Sequence, residues 1–285
     1  MSRSSLFALT AFAMIPLSAN SWLCRVALRD TEIDPASFTS VRLISGALML
    51  WLLLWVSGRL RVAGKGSWPS AAALFAYAAL FSLAYQSLTA ATGALLLFGA
   101  VQVTMIGLGL RSGERLDALQ VAGVLLAFGG LVGLLLPGLS APPLFGALMM
   151  IGAGAAWGVY SVRGKGAGDP TRVTAGNFAL AVPITLGFSL LMLQDVSFDV
   201  AGVGYAAVSG ALTSALGYAL WYSVVPQLRA YSAATVQLSV PVIVAIGGVF
   251  LLDEPITLRL VLASSAVLGG IALVIIERRR LAATS

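Results

Sequence analysis

The feature that most constrains this chain is a series of ten apolar stretches joined by short polar connections. A membrane-spanning helix needs about 20 mostly apolar residues, because each residue adds about 1.5 Å and the hydrocarbon core is roughly 30 Å thick. Only 10% of the residues are charged, whereas a soluble domain has about 25%. We therefore predict an all-α membrane protein with ten transmembrane helices.

The predicted spans are divided equally between the two halves of the chain. The first apolar run, which ends near residue 28, is expected to be retained as a span rather than cleaved as a signal peptide. Spans over 36–57, 69–88, a fourth span ending at 110 and a fifth ending at 137 follow, with a tight turn predicted at 89–93. The second half is predicted to contain spans over 144–162, 173–193, 201–225, 231–252 and 256–276.

Two offsets relate the halves to each other. Adding 140 to Glu114, Gly129 and Gly130 gives Glu254, Gly269 and Gly270, and adding 135 to Trp22, Asp34 and Pro35 gives Trp157, Asp169 and Pro170. Such matches are harder to obtain by chance than matches between apolar residues, so we infer an internal repeat, 1–140 and 141–285. Because each repeat has an odd number of spans, the second is inverted. Inverted repeats are typical of transporters that bind substrate near the midplane and work by alternating access.

The distribution of lysine and arginine predicts the orientation. Cytoplasmic connections carry an excess of these residues. With the N-terminus inside, 13 of the 17 lie on the inner side, three lie outside and Arg42 lies within a span. The outer three are Arg25, Arg29 and Arg259. Both termini are therefore predicted to be cytoplasmic, in a multi-pass membrane protein.

Several classes of chemistry are disfavoured by the residue content. The chain has no histidine and one cysteine, Cys24, which argues against histidine catalysis, a zinc site and a disulfide. It lacks the G-x-x-x-x-G-K-[ST] sequence that binds ATP phosphates, and its basic residues form no stripe typical of nucleic-acid binding. We expect no catalytic residue, no metal, no cofactor and no nucleic-acid partner.

Polar side chains inside the spans are the candidates for a substrate site, since a polar group is costly at membrane depth. They are Asn20, Arg42, Tyr85, Gln86, Gln102, Trp157, Tyr160, Asn177, Tyr218, Tyr222 and Gln237. Interhelical hydrogen bonding for the amides, an interfacial belt for the aromatic residues and extension of Arg42 to the membrane surface are the alternative interpretations. All 11 carboxylates fall in connections or at span ends.

Two further sets of residues are predicted to have structural roles. Glu114 and Glu254 precede spans 5 and 10, where the helix dipole favours a negative charge, so we expect them to be structural, capping residues. Gly129 with Gly133, and Gly154 with Gly158, have the G-x-x-x-G spacing of closely packed membrane helices.

The chain resembles the EamA-type members of the drug/metabolite transporter superfamily. The resemblance rests on the ten spans in two halves and on four motifs: Asp34-Pro35 with Arg42, Gly113-Glu114-Arg115-Leu116, Asp253-Glu254-Pro255-Ile256, and the Gly-Gly pairs in spans 5 and 10. It implies export of small metabolites, often amino acids, from a bacterial inner membrane. Within the family the chain resembles the YddG-type exporters of aromatic and other neutral amino acids.

The leading hypothesis is a secondary exporter of neutral or aromatic amino acids. Arg42 could meet the substrate carboxylate, while aromatic faces and amide oxygens could meet the ammonium group. A multidrug or organic-cation carrier, or a nucleotide-sugar carrier, is the alternative, and a membrane-embedded enzyme is disfavoured because the acids are dispersed. We expect a small-molecule substrate, a surrounding lipid bilayer and a monomer.

Overall fold

A computed structural model describes residues 3–60, 65–113, 116–138, 141–164, 168–224 and 236–284. In these ranges the regular structure is helical. The first five helices are α1 (Arg3–Asp30), α2 (Pro35–Val56), α3 (Trp68–Tyr85), α4 (Ala90–Arg111) and α5 (Ala118–Leu135). They are followed by α6 (Leu144–Arg163), α7 (Pro170–Leu191), α8, α9 (Ser239–Leu252) and α10 (Leu258–Thr284). Helix α8 consists of three consecutive segments, Val200–Val208, a π-helical Ser209–Leu216 and Gly217–Val224.

Nearly all of these helices can cross a membrane. Within the described ranges, nine helices are long and apolar enough to do so, and α9, with 14 described residues, is shorter. The predicted start of span 9, at residue 231, lies outside the described residues. The predicted fold class, an all-α membrane protein, is confirmed, and the apolar helices of the described ranges are consistent with two inverted sets of five.

The starts of α2 and α7 show how the repeat is built. Asp34 accepts hydrogen bonds from the backbone N–H groups of the first turn of α2, and Asp169 accepts one from Arg172 N at 2.9 Å in α7. A proline follows each aspartate as the first helical residue, where its missing N–H is not needed. Asp34 also accepts from Ser197 N at 3.1 Å, and Asp169 pairs with Arg59. Each Asp-Pro start is therefore attached to a connection of the other half.

The helix–helix contacts recur between the corresponding helices when the two halves are exchanged. Helix α6 packs on α3 and α4, and its repeat partner α1 packs on α8 and α9. Helix α2 packs on its own partner α7, and α5 packs on its partner α10. This is the arrangement expected of two similar halves in opposite orientations. The boundary between the halves at residue 140 stays a prediction, since residues 139 and 140 lie outside the described ranges.

The predicted turn at 89–93 is wrong. Helix α3 ends at Tyr85, and α4 already begins at Ala90. Thr89 is the N-cap of α4, and its hydroxyl accepts from Thr92 N at 3.3 Å, so residues 90–93 form the first helical turn.

The glycine prediction is right for one pair and wrong for the other. Gly154 and Gly158 of α6 pack closely against α4, as the spacing predicts. A Cβ added at Gly129 or Gly133 of α5 would meet nothing within 4 Å, so these two are not at a helix contact. Helix α5 instead meets α10 through Gly123 and Gly130, which lie about a quarter-turn around the helix from those two glycines.

Candidate functional site

Arg42 lies in the interior of the bundle, on α2. Its side chain is 2% exposed, so the guanidinium does not extend to the membrane surface. Nη2 donates to the Tyr77 hydroxyl at 3.1 Å, and Nε donates to Ser214 Oγ at 3.4 Å. Nη1 is buried and has no hydrogen-bond partner among the residues that the structure describes. Helix α2 thus holds a positive charge in the interior of the bundle, and the Nη1 donor of that charge is available to a ligand.

Asn20 connects Arg42 to the second half of the chain. Its Oδ1 accepts from Ser209 Oγ at 2.6 Å and from Thr213 Oγ1 at 3.3 Å. Its Nδ2 donates to the Tyr77 hydroxyl at 3.2 Å. Together these residues join α1, α2 and α3 to α8. We refer to Asn20, Arg42, Tyr77, Ser209, Thr213 and Ser214 as the Arg42 cluster.

The π-helical segment of α8 places the three hydroxyl groups of the cluster. Gly210, in the same segment, lies directly against the backbone carbonyl of Arg42, where any Cβ would collide. The missing side chain lets α8 approach α2 closely enough for Ser214 to reach the guanidinium. Short π-helical segments inside α-helices are rare, and those that occur are often located at functional sites.

Aromatic rings line one side of the Arg42 cluster. The centroid of the Trp157 ring is 4.8 Å from that of Tyr77 and 5.3 Å from those of Tyr160 and Tyr218. The guanidinium carbon of Arg42 is 5.2 Å from the centroids of Tyr77 and Phe81. We refer to Tyr77, Phe81, Trp157, Tyr160 and Tyr218 as the aromatic wall. It presents apolar surface and negative ring faces beside a cation.

The Arg42 cluster carries a positive charge that no carboxylate of the described chain neutralises by direct contact. The ion pairs in the described ranges are Arg25 with Glu254, Arg29 with Asp30 and Arg59 with Asp169. All three lie at helix ends or in connections, and the hydrogen-bond partners of Arg42 are neutral hydroxyl groups. The site is therefore suited to a ligand that brings its own negative charge.

Asn177, the repeat partner of Arg42, has a different environment. It is 2% exposed on α7. Its Oδ1 accepts from Ser67 N at 2.9 Å, just before α3, and its Nδ2 donates to Tyr160 Oη at 3.4 Å. Asn177 therefore connects the start of α3 to the aromatic wall.

The other predicted site residues are not brought into the cluster. Tyr85 is buried at the turn between α3 and α4, where its hydroxyl donates to Ala90 O at 3.2 Å. Gln86 is exposed at the end of α3, and its role in a substrate site stays a prediction. Gln102 and Gln237 are half-buried, and neither is among the hydrogen-bond partners that the structure gives the cluster. The side chain of Tyr222 lies outside the described part of the chain.

Glu254 has a structural role that differs from the predicted one. Its carboxylate accepts from Ala90 N at 2.7 Å and pairs with Arg25 Nε at 3.0 Å. It therefore caps α4, not α10, which begins four residues later at Leu258. Asp253 has a left-handed φ of 52°, and this turn directs Glu254 back over the end of α9. The corresponding prediction for Glu114 lies outside the described residues.

Sequence reasoning missed four members of the cluster. Tyr77 is near the middle of α3, and Ser209, Thr213 and Ser214 are small hydroxyl residues of α8. Serine and threonine are common in membrane helices because they can bond to their own backbone, as Thr213 does to Ser209 O at 2.7 Å. The available signal was the four-residue spacing of Ser209 and Thr213, which places both on one helix face.

Two apolar cavities lie elsewhere on the bundle. One, of about 400 Å³, is lined by residues of α4, α9 and α10, among them Leu95, Pro241 and Leu260. The other, of about 700 Å³, is a groove between α5 and α10. Neither is lined by a member of the Arg42 cluster or of the aromatic wall.

Comparisons with known proteins agree with this architecture. Residues 144–276 match the EamA-like transporter family. An uncharacterised protein of Pseudomonas aeruginosa is 55% identical over 270 residues, which cover 95% of this chain and 94% of the relative. An uncharacterised transporter of Archaeoglobus fulgidus is 28% identical, with 86% and 89% covered. The uncharacterised transporter YwfM of Bacillus subtilis is 25% identical, with 80% of each covered. A crystal structure that is 19% identical shares the fold, with a TM-score of 0.66 over 98% of this chain and 100% of that one.

Proposed function

The chain belongs to the EamA-like transporter family, and on that premise we propose that it exports neutral amino acids, above all aromatic ones, by alternating access. The family consists of transporters rather than enzymes, and this chain is a multi-pass membrane protein. The amino-acid substrate, the direction of transport and the bacterial inner membrane as its location are the proposed part.

The observation that carries the proposal is that the buried Arg42, beside the aromatic wall, pairs with no carboxylate among the described residues. A charge at the centre of a membrane costs about 2.5–3.5 kcal/mol on insertion scales, so it is retained where it has a function. An amino-acid carboxylate would supply the missing negative charge. The aromatic wall would pack against an apolar side chain, and its ring faces would attract the ammonium group.

The alternative substrates fit the cluster less well. An organic cation would be brought next to the positive charge of Arg42, and like charges repel strongly where the dielectric constant is low. A nucleotide sugar carries a pyrophosphate that calls for several cations, and Arg42 is the one cation of the cluster.

The position of the cluster supports alternating access. Its members come from α1, α2 and α3 of the first half and from α8 of the second, and α6 adds Trp157. Rocking of the halves would open such a site to either side in turn. Contacts between the halves exist at both ends, Arg25 with Glu254 at one and Arg59 with Asp169 at the other.

The test is transport by the purified protein in proteoliposomes, with a panel of labelled amino acids. We expect phenylalanine and other neutral amino acids to move, and Arg42→Gln to reduce transport by about tenfold or more, because a charged hydrogen-bond donor is lost. The matched control is Arg111→Gln, which removes an exposed arginine at the end of α4 and should leave transport unchanged. Movement of organic cations, with no movement of any amino acid, would instead favour the organic-cation carrier.

A further inference from the structure

The hydroxyl proton of Tyr77 is not donated to any acceptor in the described part of the protein. Its oxygen accepts from two donors, Arg42 Nη2 at 3.1 Å and Asn20 Nδ2 at 3.2 Å. Asn20 cannot take the hydroxyl proton in return, because its Oδ1 already faces Ser209 and Thr213. A guanidinium has no acceptor at all. Among the described residues no acceptor is left for the Tyr77 proton.

Arg42 supplies a second free donor next to it. Nη1 is buried and unpartnered, and it belongs to the guanidinium whose Nη2 contacts the Tyr77 oxygen. Buried donors without a partner are rare in proteins and call for an explanation. Here two of them, Nη1–H of Arg42 and O–H of Tyr77, lie on neighbouring groups 2% and 5% exposed.

We propose that Arg42 and Tyr77 form a two-donor cradle for one carboxylate, and that Tyr77 determines the preference for acids over their amides. The proposal rests on the proposed function, which it refines by naming the recognised group. One carboxylate oxygen accepts from Arg42 Nη1 and the other from the Tyr77 hydroxyl. Asn20 holds the tyrosine oxygen as an acceptor, so that the phenolic proton points to the ligand.

The cradle discriminates by hydrogen-bond type as well as by charge. A carboxylate presents two acceptors, which match the two donors, and charge-assisted hydrogen bonds are the stronger ones. A carboxamide of the same shape presents one acceptor and one NH₂ group, which places a donor against a donor. A buried site magnifies this mismatch, because water cannot satisfy the groups left over.

The experiment measures binding of three probes to the purified full-length protein: phenylalanine, 3-phenylpropanoate and phenylalaninamide. In the wild type both acids should bind more tightly than the amide. Tyr77→Phe keeps the ring and removes the hydroxyl, so it should reduce the ratio of amide to acid Kd by about 10- to 100-fold. Tyr205→Phe, at a half-buried tyrosine in the first segment of α8, is the matched control and should leave the ratio unchanged.

A second variant protects the test against a folding defect in Tyr77→Phe. Arg42→Lys keeps the charge and removes the planar pair of donors, and it should also lower the preference for the acids. An unchanged ratio in Tyr77→Phe, or equal binding of acids and amide by the wild type, overturns the cradle. So does the absence of acid binding at millimolar concentration. If acids bind in a Tyr77-dependent way while no amino acid is transported, the cradle stands and the proposed substrate is wrong.

Discussion

Arg42 is buried within the bundle without a negatively charged partner in the described part of the chain. Its charge is spread over two aromatic ring faces and two neutral oxygen atoms. Cation–π contacts in a desolvated site are worth about 2 kcal/mol, which is comparable to the cost of inserting the charge. A carboxylate partner within the protein would occupy the same donors that a substrate needs. The neutral surroundings thus keep the arginine both stable and available.

Glu254 provides the first stability prediction, because one carboxylate makes two contacts that join separate helices. Glu254→Gln removes the charge that pairs with Arg25 and weakens the cap on α4. We expect a loss of about 1.5–3 kcal/mol, the range for hydrogen bonds to charged groups, measured as a lower midpoint of thermal unfolding in detergent.

The control for Glu254 is an ion pair at the same end of the molecule. Asp30 pairs with Arg29, but both side chains are far more exposed than those of Glu254 and Arg25, at 43% and 33%. Exposed pairs contribute about 0–1 kcal/mol, so Asp30→Asn should change the midpoint little. Equal shifts for the two variants would show that Glu254 is not the stabilising contact described.

At the residue scale, the sequence predicts site residues better when their side chains are energetically unfavourable in a membrane, such as a charge or an amide. It predicts them less well when the side chain is common in membrane helices, such as serine or tyrosine. Arg42 and Asn20 are predicted because a charge or an amide within a span needs a partner. Ser209 and Tyr77 were missed because a serine can satisfy itself on its own helix and a tyrosine is common at membrane interfaces. The contact of Glu254 with α4 was also missed, since the left-handed turn at Asp253 is not evident from the sequence.

At the element scale, α5 and α10 form a symmetric contact. A Cβ on Gly123 would lie 2.6 Å from Gly270 O, and one on Gly130 would lie 3.1 Å from Ala263 O. Adding 140 to Gly123 and Gly130 gives Ala263 and Gly270, so each contact joins one of these glycines to the repeat partner of the other. The helices therefore meet as equivalent partners, as inverted copies should.

This contact yields a prediction with a control on the same helix. Gly123→Leu places a large side chain against the backbone of α10 and should destabilise the protein by about 1–3 kcal/mol, the usual cost of overpacking. Gly129→Leu adds the same side chain where a Cβ meets nothing within 4 Å, and should be tolerated. Thermal unfolding of both variants measures the difference. Greater damage from Gly129→Leu would contradict the packing described.

The choice between the two faces of α5 follows from a pattern that the four-residue glycine spacing does not show. Gly123, Ala127, Gly130 and Leu134 are buried and recur at intervals of four, three and four residues. This is the period of a packed helix face. Gly129 and Gly133 have the G-x-x-x-G spacing but lie beside this face, along the groove between α5 and α10. Helix existence and length were predictable from apolar runs, whereas the contact face required the longer period.

At the scale of the whole molecule, cations are distributed unequally between the two ends of the bundle, and this asymmetry bears on the orientation that we propose. Three arginines lie at the end that carries Glu254, and each bonds to the protein. Arg25 and Arg29 bond to Glu254 and to the carbonyl of Leu252, respectively, and Arg259 bonds to the carbonyl of Leu136. Most of the remaining cations of the sequence fall on the opposite side in the predicted topology. An arginine engaged in structural contacts is expected at either end, whereas surplus cations favour the cytoplasmic side.

The final prediction is therefore that the Glu254 end faces away from the cytoplasm. Asp195→Cys, exposed after α7 at that end, should react with an impermeant thiol reagent applied to intact cells. Ser112→Cys, exposed after α4 at the other end, should react only after the membrane is permeabilised. The native Cys24 is fully buried, so the unmodified protein gives the background signal. The reverse labelling pattern would invert the orientation, and the proposed direction of transport would then have to be assigned anew from the side on which substrate is accepted.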